Sequence, residues 1–129
     1  MIDERVALNL DSMKRAAADA ISFLDGVTER EFQNSPQHQK ACAMCLLIIG
    51  EAASRIEQKS PDFITAHADW PWRDIRGLRN RIAHDYFSLD IPIIWIIVRE
   101  SLPDLLLKID EIGELDPRLW PEVMLQTAT

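Results

Sequence analysis

Arg79, Asn80, His84 and Tyr86 stand in the order R-N-x3-H-x-Y inside the segment LRNRIAHDYFSLD, residues 78–90. The set combines a permanent cation, an amide, an imidazole that titrates near neutrality and a phenol. Such groups suit the handling of a phosphodiester without a metal. Tyr86 is the only tyrosine in the chain, so tyrosine-directed chemistry has a single address. Four arginines (Arg73, Arg76, Arg79, Arg81) gather between residues 73 and 84 against one acid, Asp74, in a chain of net charge −7. The overall charge argues against broad nonspecific nucleic-acid affinity. An acidic body with one basic stripe fits a small phosphate-binding cleft. Without a ligand, the same stripe is a solvated helix face with ordinary surface pairs.

The elements that must position these groups read as helices. The chain has 129 residues, 47% hydrophobic and 27% charged, which fits one globular domain with a core. Val6, Leu10, Met13, Ala17, Ile21 and Leu24 recur every three to four residues, predicting an amphipathic helix over 3–24 that Asp25-Gly26 ends. Thr28 and Glu31 can form a capping box on a short helix. Ser35-Pro36 reads as N-cap and first-turn proline of a second long helix to about Lys59, with a core stripe of Ala41, Cys45, Ile48, Ala52 and Ile56. Ser60-Pro61-Asp62 breaks it and starts a short element ending near His67. Trp70-Pro71-Trp72 is a rigid corner, and Trp72, Ile75, Leu78 and Ile82 carry a third helix to about His84. Asp90 caps a fourth, with Pro92 in its first turn and Pro103 kinking it. Its stripe is Ile94, Trp95, Val98, Leu102, Leu105, Leu106 and Ile109. The fold class is all-α: an up-and-down four-helix bundle with one or two short extra helices over residues 1–113, followed by a C-terminal tail, 114–129.

Of the eight residues 91–98, seven are aliphatic or tryptophan. That is a large apolar surface for a small bundle, and self-association through this helix is expected, with a tightly packed monomer core as the other solution. Cys42 and Cys45 follow His38 as H-x3-C-x2-C, a spacing open to metal chemistry, but two reduced core thiols are the simpler reading. His38 and His67 are read as surface or turn histidines. No metal or cofactor is expected. The start of the chain, with Asp3 and Glu4, does not look like a secretory signal, and no apolar run is long enough to span a bilayer, so the expectation is a cytoplasmic protein without membrane attachment.

The chain resembles the HepT family of HEPN-domain proteins, the toxin half of bacterial HEPN/nucleotidyltransferase toxin–antitoxin pairs. Gly50-Glu51-Ala52, Pro71-Trp72, Arg79-Asn80, His84, Tyr86 and Trp95 carry the resemblance, which covers roughly residues 3–112. It implies a HEPN-like bundle and a metal-independent endoribonuclease acting in a type VII-like system. It also implies two partners, an RNA substrate and a cognate nucleotidyltransferase antitoxin of the MNT type that silences the toxin by adenylylating the motif tyrosine. On Tyr86 this would put AMP, with its bulk and negative charge, two residues from His84. Tyr86 and Phe87 could equally anchor the loop between helices.

Cleaving RNA without a metal drives the ribose 2′-OH onto its own phosphate. The reaction needs a base, an acid and positive charge at the transition state. His84 can serve as base or acid, and Arg79 can grip phosphate oxygens in bidentate fashion. Asn80, one helical turn before His84, can orient the ring or bond phosphate. Arg76 and Arg81 extend the phosphate-binding surface, and Glu51 is expected to support it through an ion pair with a motif-region arginine. Arg79 and His84 are about 140° apart on an ideal helix. Either the helix ends before His84, or two chains complete the site, and a homodimer with a composite site would also supply both an acid and a base. A non-catalytic subunit docking onto a nucleotidyltransferase, and a plain dimerisation bundle, remain alternatives, because the fold serves all three.

Overall fold

Side-chain caps start four of the eight α-helices among the described residues. The computed structural model describes residues 3–85 and 88–115, with only the backbone of residues 84, 85, 114 and 115. Helix α1, Glu4–Phe23, starts where the Asp3 carboxylate accepts the Arg5 N–H at 2.7 Å, and the chain beyond it turns through Gly26 at φ 72°, a conformation glycine adopts without strain. The short α2, Glu29–Gln33, carries the predicted reciprocal box between Thr28 and Glu31. The Thr28 backbone and side-chain bonds hold the Glu31 carboxyl below the usual range. Ser35 and Pro36 open α3, Pro36–Lys59, and Pro61 opens α4, Pro61–Ala66. The third main helix comes in two pieces, α5, Trp72–Arg76, and α6, Leu78–Ile82. Asp90 caps α7, Ile91–Ile96, and α8, Leu102–Leu115, completes the fourth. Most of the tail, residues 116–129, lies outside the described residues, and α8 itself runs two residues past the expected boundary at Gly113.

The result is the expected all-helical bundle, α1 packed along α3 and α8, α3 along α5 and α6, with α2 and α4 as the short extras. Leu10, Met13, Leu46, Ile49, Ile56, Ile82, Ile94, Leu102 and Ile109 are among the side chains removed from water in its core. Lys14 and Asp110 bridge α1 to α8 at 3.0 Å. At the corner before α5, Trp70 stacks on Trp72 at 5.0 Å, Phe63 meets both edge-on, and the Trp72 indole donates to the His67 carbonyl at 2.9 Å.

Two sequence expectations need correction, and the disturbance expected from Pro103 takes a specific form. The core face of α3 is Cys42, Cys45, Leu46, Ile49, Ala52, Ala53 and Ile56, whereas Ile48 is exposed. All residues from 41 to 49 are apolar, so periodicity could not select the face. The third helix does not reach His84. It breaks at Gly77 and ends at Ile82, beyond which Ala83–Asp85 (β1) pairs antiparallel with Ser88–Leu89 (β2). In the fourth helix the effect of Pro103 appears upstream, as a π-helical turn at Ile97–Ser101 in which the Leu102 N–H reaches back five residues to the Ile97 carbonyl. A proline ring crowds the carbonyl four residues earlier, here Arg99, and the wider turn relieves that clash.

Cys42 and Cys45 are buried free thiols, and the His38 ring is taken up by the Ser35 hydroxyl at 2.6 Å. Burial, and then Cys45, pushes the Cys42 thiol up from 9.0 to about 11, while burial and the Asp19 charge raise Cys45. The folded protein keeps the Cys42 proton where an unfolded chain has released it. Its contribution to stability is therefore full below pH 9.0 and is lost as the pH rises towards about 11. Chemical denaturation should show a midpoint that falls over this window, and falls less in Cys42→Ala. An equal alkaline loss in both proteins would contradict the assignment.

Candidate active site

Arg79, Asn80 and Arg81 are exposed on α6, whose Leu78 and Ile82 are buried beneath them. Where α5 passes into α6, the chain lies against a residue of α3 that has no side chain. A Cβ on Gly50 would lie 3.3 Å from the Ile75 carbonyl oxygen and 3.7 Å from Leu78 Cβ. Gly50 thus allows the backbones to approach, which gives the Gly50-Glu51-Ala52 signature a structural meaning.

α6 ends where Ala83 turns extended, at φ −134° and ψ 126°. The Asp90 N–H donates to the Ile82 carbonyl at 2.8 Å, and Ala83 pairs with Leu89, so a short ribbon replaces the next helical turn. His84 sits on the first strand of that ribbon. The first of the two solutions to the spacing problem is therefore realised: Arg79 and His84 lie on different elements, and the 140° separation of an ideal helix does not apply. For the same reason Asn80 is not one helical turn from His84, and the orienting role built on that spacing loses its basis. Tyr86 and Phe87, which join the strands, lie outside the described residues.

The expected partners also change. Glu51 is exposed and forms no ion pair among the described residues. The acid that holds a motif-region arginine is Glu57, six residues further along α3, whose carboxylate meets Arg76 at 2.5 Å while the Arg76 Nε–H donates to the Trp72 carbonyl at 3.3 Å. No spacing within α3 or α5 signals this pair, which depends on how the two helices pass each other. Arg81 lines a cleft of about 320 Å³ between α5–α6 and the π turn and α8, together with Asp74, Glu100, Asp104 and Lys108 over a floor of Ile75, Leu78, Ile97, Leu102 and Leu105. Arg79 does not line it. Arg81 and Arg79 therefore serve different sides of α6.

The apolar run at 91–98 is mostly spent inside the chain. Ile94, Ile97 and Val98 are buried, Trp95 packs on Phe32 at 5.4 Å with the Arg99 guanidinium 5.2 Å from its ring centre, and Ile96 is exposed. A larger exposed apolar surface lies on α3, where Met44 and Ile48 are 58% and 42% exposed. Beside it a groove lined by Lys40, Met44, Leu47, Leu89 and Ile91 runs up to the ribbon that carries His84.

Among the described residues no helix is long and apolar enough to cross a membrane. The bundle carries an exposed arginine on one short helix and a histidine on the ribbon that follows. The chain belongs to the ribonuclease HepT-like family, whose model matches residues 13–112. It is 35% identical to the provisionally named RNase MJ0127 of Methanocaldococcus jannaschii, over 80% of this chain and 79% of that protein. A second provisionally named RNase of that organism, MJ1380, is 36% identical over 68% of this chain and 78% of its own. The probable ribonuclease HepT of Thermococcus cleftensis is 31% identical over 74% and 87%. No solved structure matches the chain significantly.

Proposed function

We propose that this protein is a metal-independent endoribonuclease toxin that cleaves RNA by 2′-OH transesterification. The observation that carries the reading is the division of the motif between two elements: exposed Arg79 on a helix packed tightly at Gly50, and His84 on a ribbon closed by the Asp90 to Ile82 bond. Ribonuclease names among the relatives support it. In the reaction one imidazole accepts the 2′-OH proton as the 2′-oxygen bonds to phosphorus, Arg79 stabilises the added charge, and the 5′-oxygen leaves with a proton from a second imidazole. The products are a 2′,3′-cyclic phosphate and a 5′-hydroxyl.

One chain has a single motif histidine, so the second is taken to be the partner subunit's His84. The exposed Met44 and Ile48, next to a groove that ends at the ribbon, offer a face for such a homodimer. The test is incubation of purified protein with single-stranded RNA in excess chelator. Cyclic-phosphate ends by mass spectrometry support the reading. Intact RNA supports the docking-subunit alternative.

The partner is proposed to be an MNT-type nucleotidyltransferase that adds AMP to Tyr86. Tyr86 stands between the strands that carry His84 and Leu89, so a charged adduct there is attached to the ribbon itself. Co-expression with that partner should add one AMP mass to wild type and none to Tyr86→Phe, and only the variant should keep cleaving RNA. Silenced wild type with an unmodified Tyr86 would count against this control.

A further inference from the structure

The arginines of the motif region divide between two flanks of the third main helix. Successive helical residues turn by about 100°, so with Leu78 and Ile82 facing inward, Arg79 and Arg81 leave α6 on opposite sides. Arg81 turns to the cleft against α8, as Asp74 of α5 does. Arg76 turns the other way, to Glu57 on α3. Arg73 is three residues before Arg76, on the same side of α5 and about 100° away from Asp74. By their positions on the two short helices Arg73 and Arg76 of α5 and Arg79 of α6 fall to the side away from the Arg81 cleft, in order across the break at Gly77, and all three are exposed. Glu57 partly neutralises the middle one, whereas Arg73 and Arg79 form no ion pair among the described residues.

Resting on the ribonuclease reading, we infer that this set is the track for the RNA backbone beside the scissile phosphate. Arg79 holds the scissile phosphate, and Arg76 and Arg73 meet the phosphates that follow on one side, so the strand leaves towards the Trp70–Trp72 corner. The substrate is single-stranded RNA that extends several nucleotides to one side of the cut. Neighbouring phosphates of such a strand are what a row of guanidinium groups with long, adjustable stems can follow. Arg81 lies off this track. Glu57 at the middle of the set keeps its net charge low and its reach short.

The inference is tested by cleavage of an oligonucleotide of about a dozen residues and of a dinucleotide, with binding followed by fluorescence anisotropy of the labelled longer RNA on a His84→Ala background. Arg73→Gln should lower kcat/KM on the longer RNA about fivefold, through KM, and leave the dinucleotide unchanged. The slope of log K against log salt should become shallower by about 0.7. Glu57→Gln, which releases Arg76, should tighten binding, and Arg30→Gln, the same charge loss on α2, should do nothing. Arg73→Gln equal to wild type on both RNAs, or an equal loss in Arg81→Gln, overturns the track and leaves the ribonuclease reading standing. Wild type that cleaves neither RNA overturns both.

Discussion

His84→Ala should cost the purified protein about a thousandfold in RNA cleavage while leaving its far-UV spectrum and melting temperature close to wild type. The imidazole is the one group of the motif with an ordinary pKa near neutrality, so no neighbour can replace it as proton acceptor at physiological pH. Arg79→Ala should lose a similar amount, because the developing charge on phosphorus would face water instead of a fixed cation. Arg79→Lys should recover little, since an ammonium cannot hold two phosphate oxygens in one plane. The composite site makes a sharper statement. If acid and base come from two copies of His84, wild type mixed with His84→Ala and allowed to exchange subunits should lose activity as the square of the wild-type fraction, to about a quarter at equal mixing. A linear fall, to about half, would mean that each chain works alone.

Gly50→Val should unfold the protein at much lower temperature, by about 10 °C, or prevent its accumulation altogether. At 3.3 Å from the Ile75 carbonyl, even a methyl group is tighter than ordinary contact, and the obstructing atom is backbone that cannot swing aside. Overpacking of this kind costs about 1–3 kcal/mol. Gly50→Ala separates packing from helix propensity: alanine gains about 1 kcal/mol within a helix, so a net change near zero is expected in stability. Its signature should instead be a small shift of α5 and α6 away from α3, read as a loss of RNA cleavage out of proportion to the stability change. An alanine variant with raised melting temperature and full activity would show that the close approach does not position the site.

What could be read from the sequence was what local chemistry decides. Asp3, Thr28 with Glu31, Ser35 with Pro36, and Asp90 with Pro92 each satisfy a helix start within three residues, so the starts they cap were legible before any coordinates. Long-range contacts were not. Arg81, Ile82 and Ala83 have no aversion to helix, and the end of α6 is tied to the Ile82 carbonyl and Leu89, six or more residues away. The pairing of Arg76 with Glu57 likewise depends on how α3 passes α5, which no spacing within either segment reveals. Pro103 announced a disturbed helix, and the π turn upstream of it is the form that the single sequence position did not specify.

The ribbon gives the two motif residues separate supports. Arg79 stands on the helix that follows the Gly50 contact, whereas His84 lies on a ribbon whose Ala83 and Leu89 pack against the core. In the proposed reaction the proton carrier and the phosphate grip therefore belong to different elements, and a change made at the ribbon need not be made at the helix.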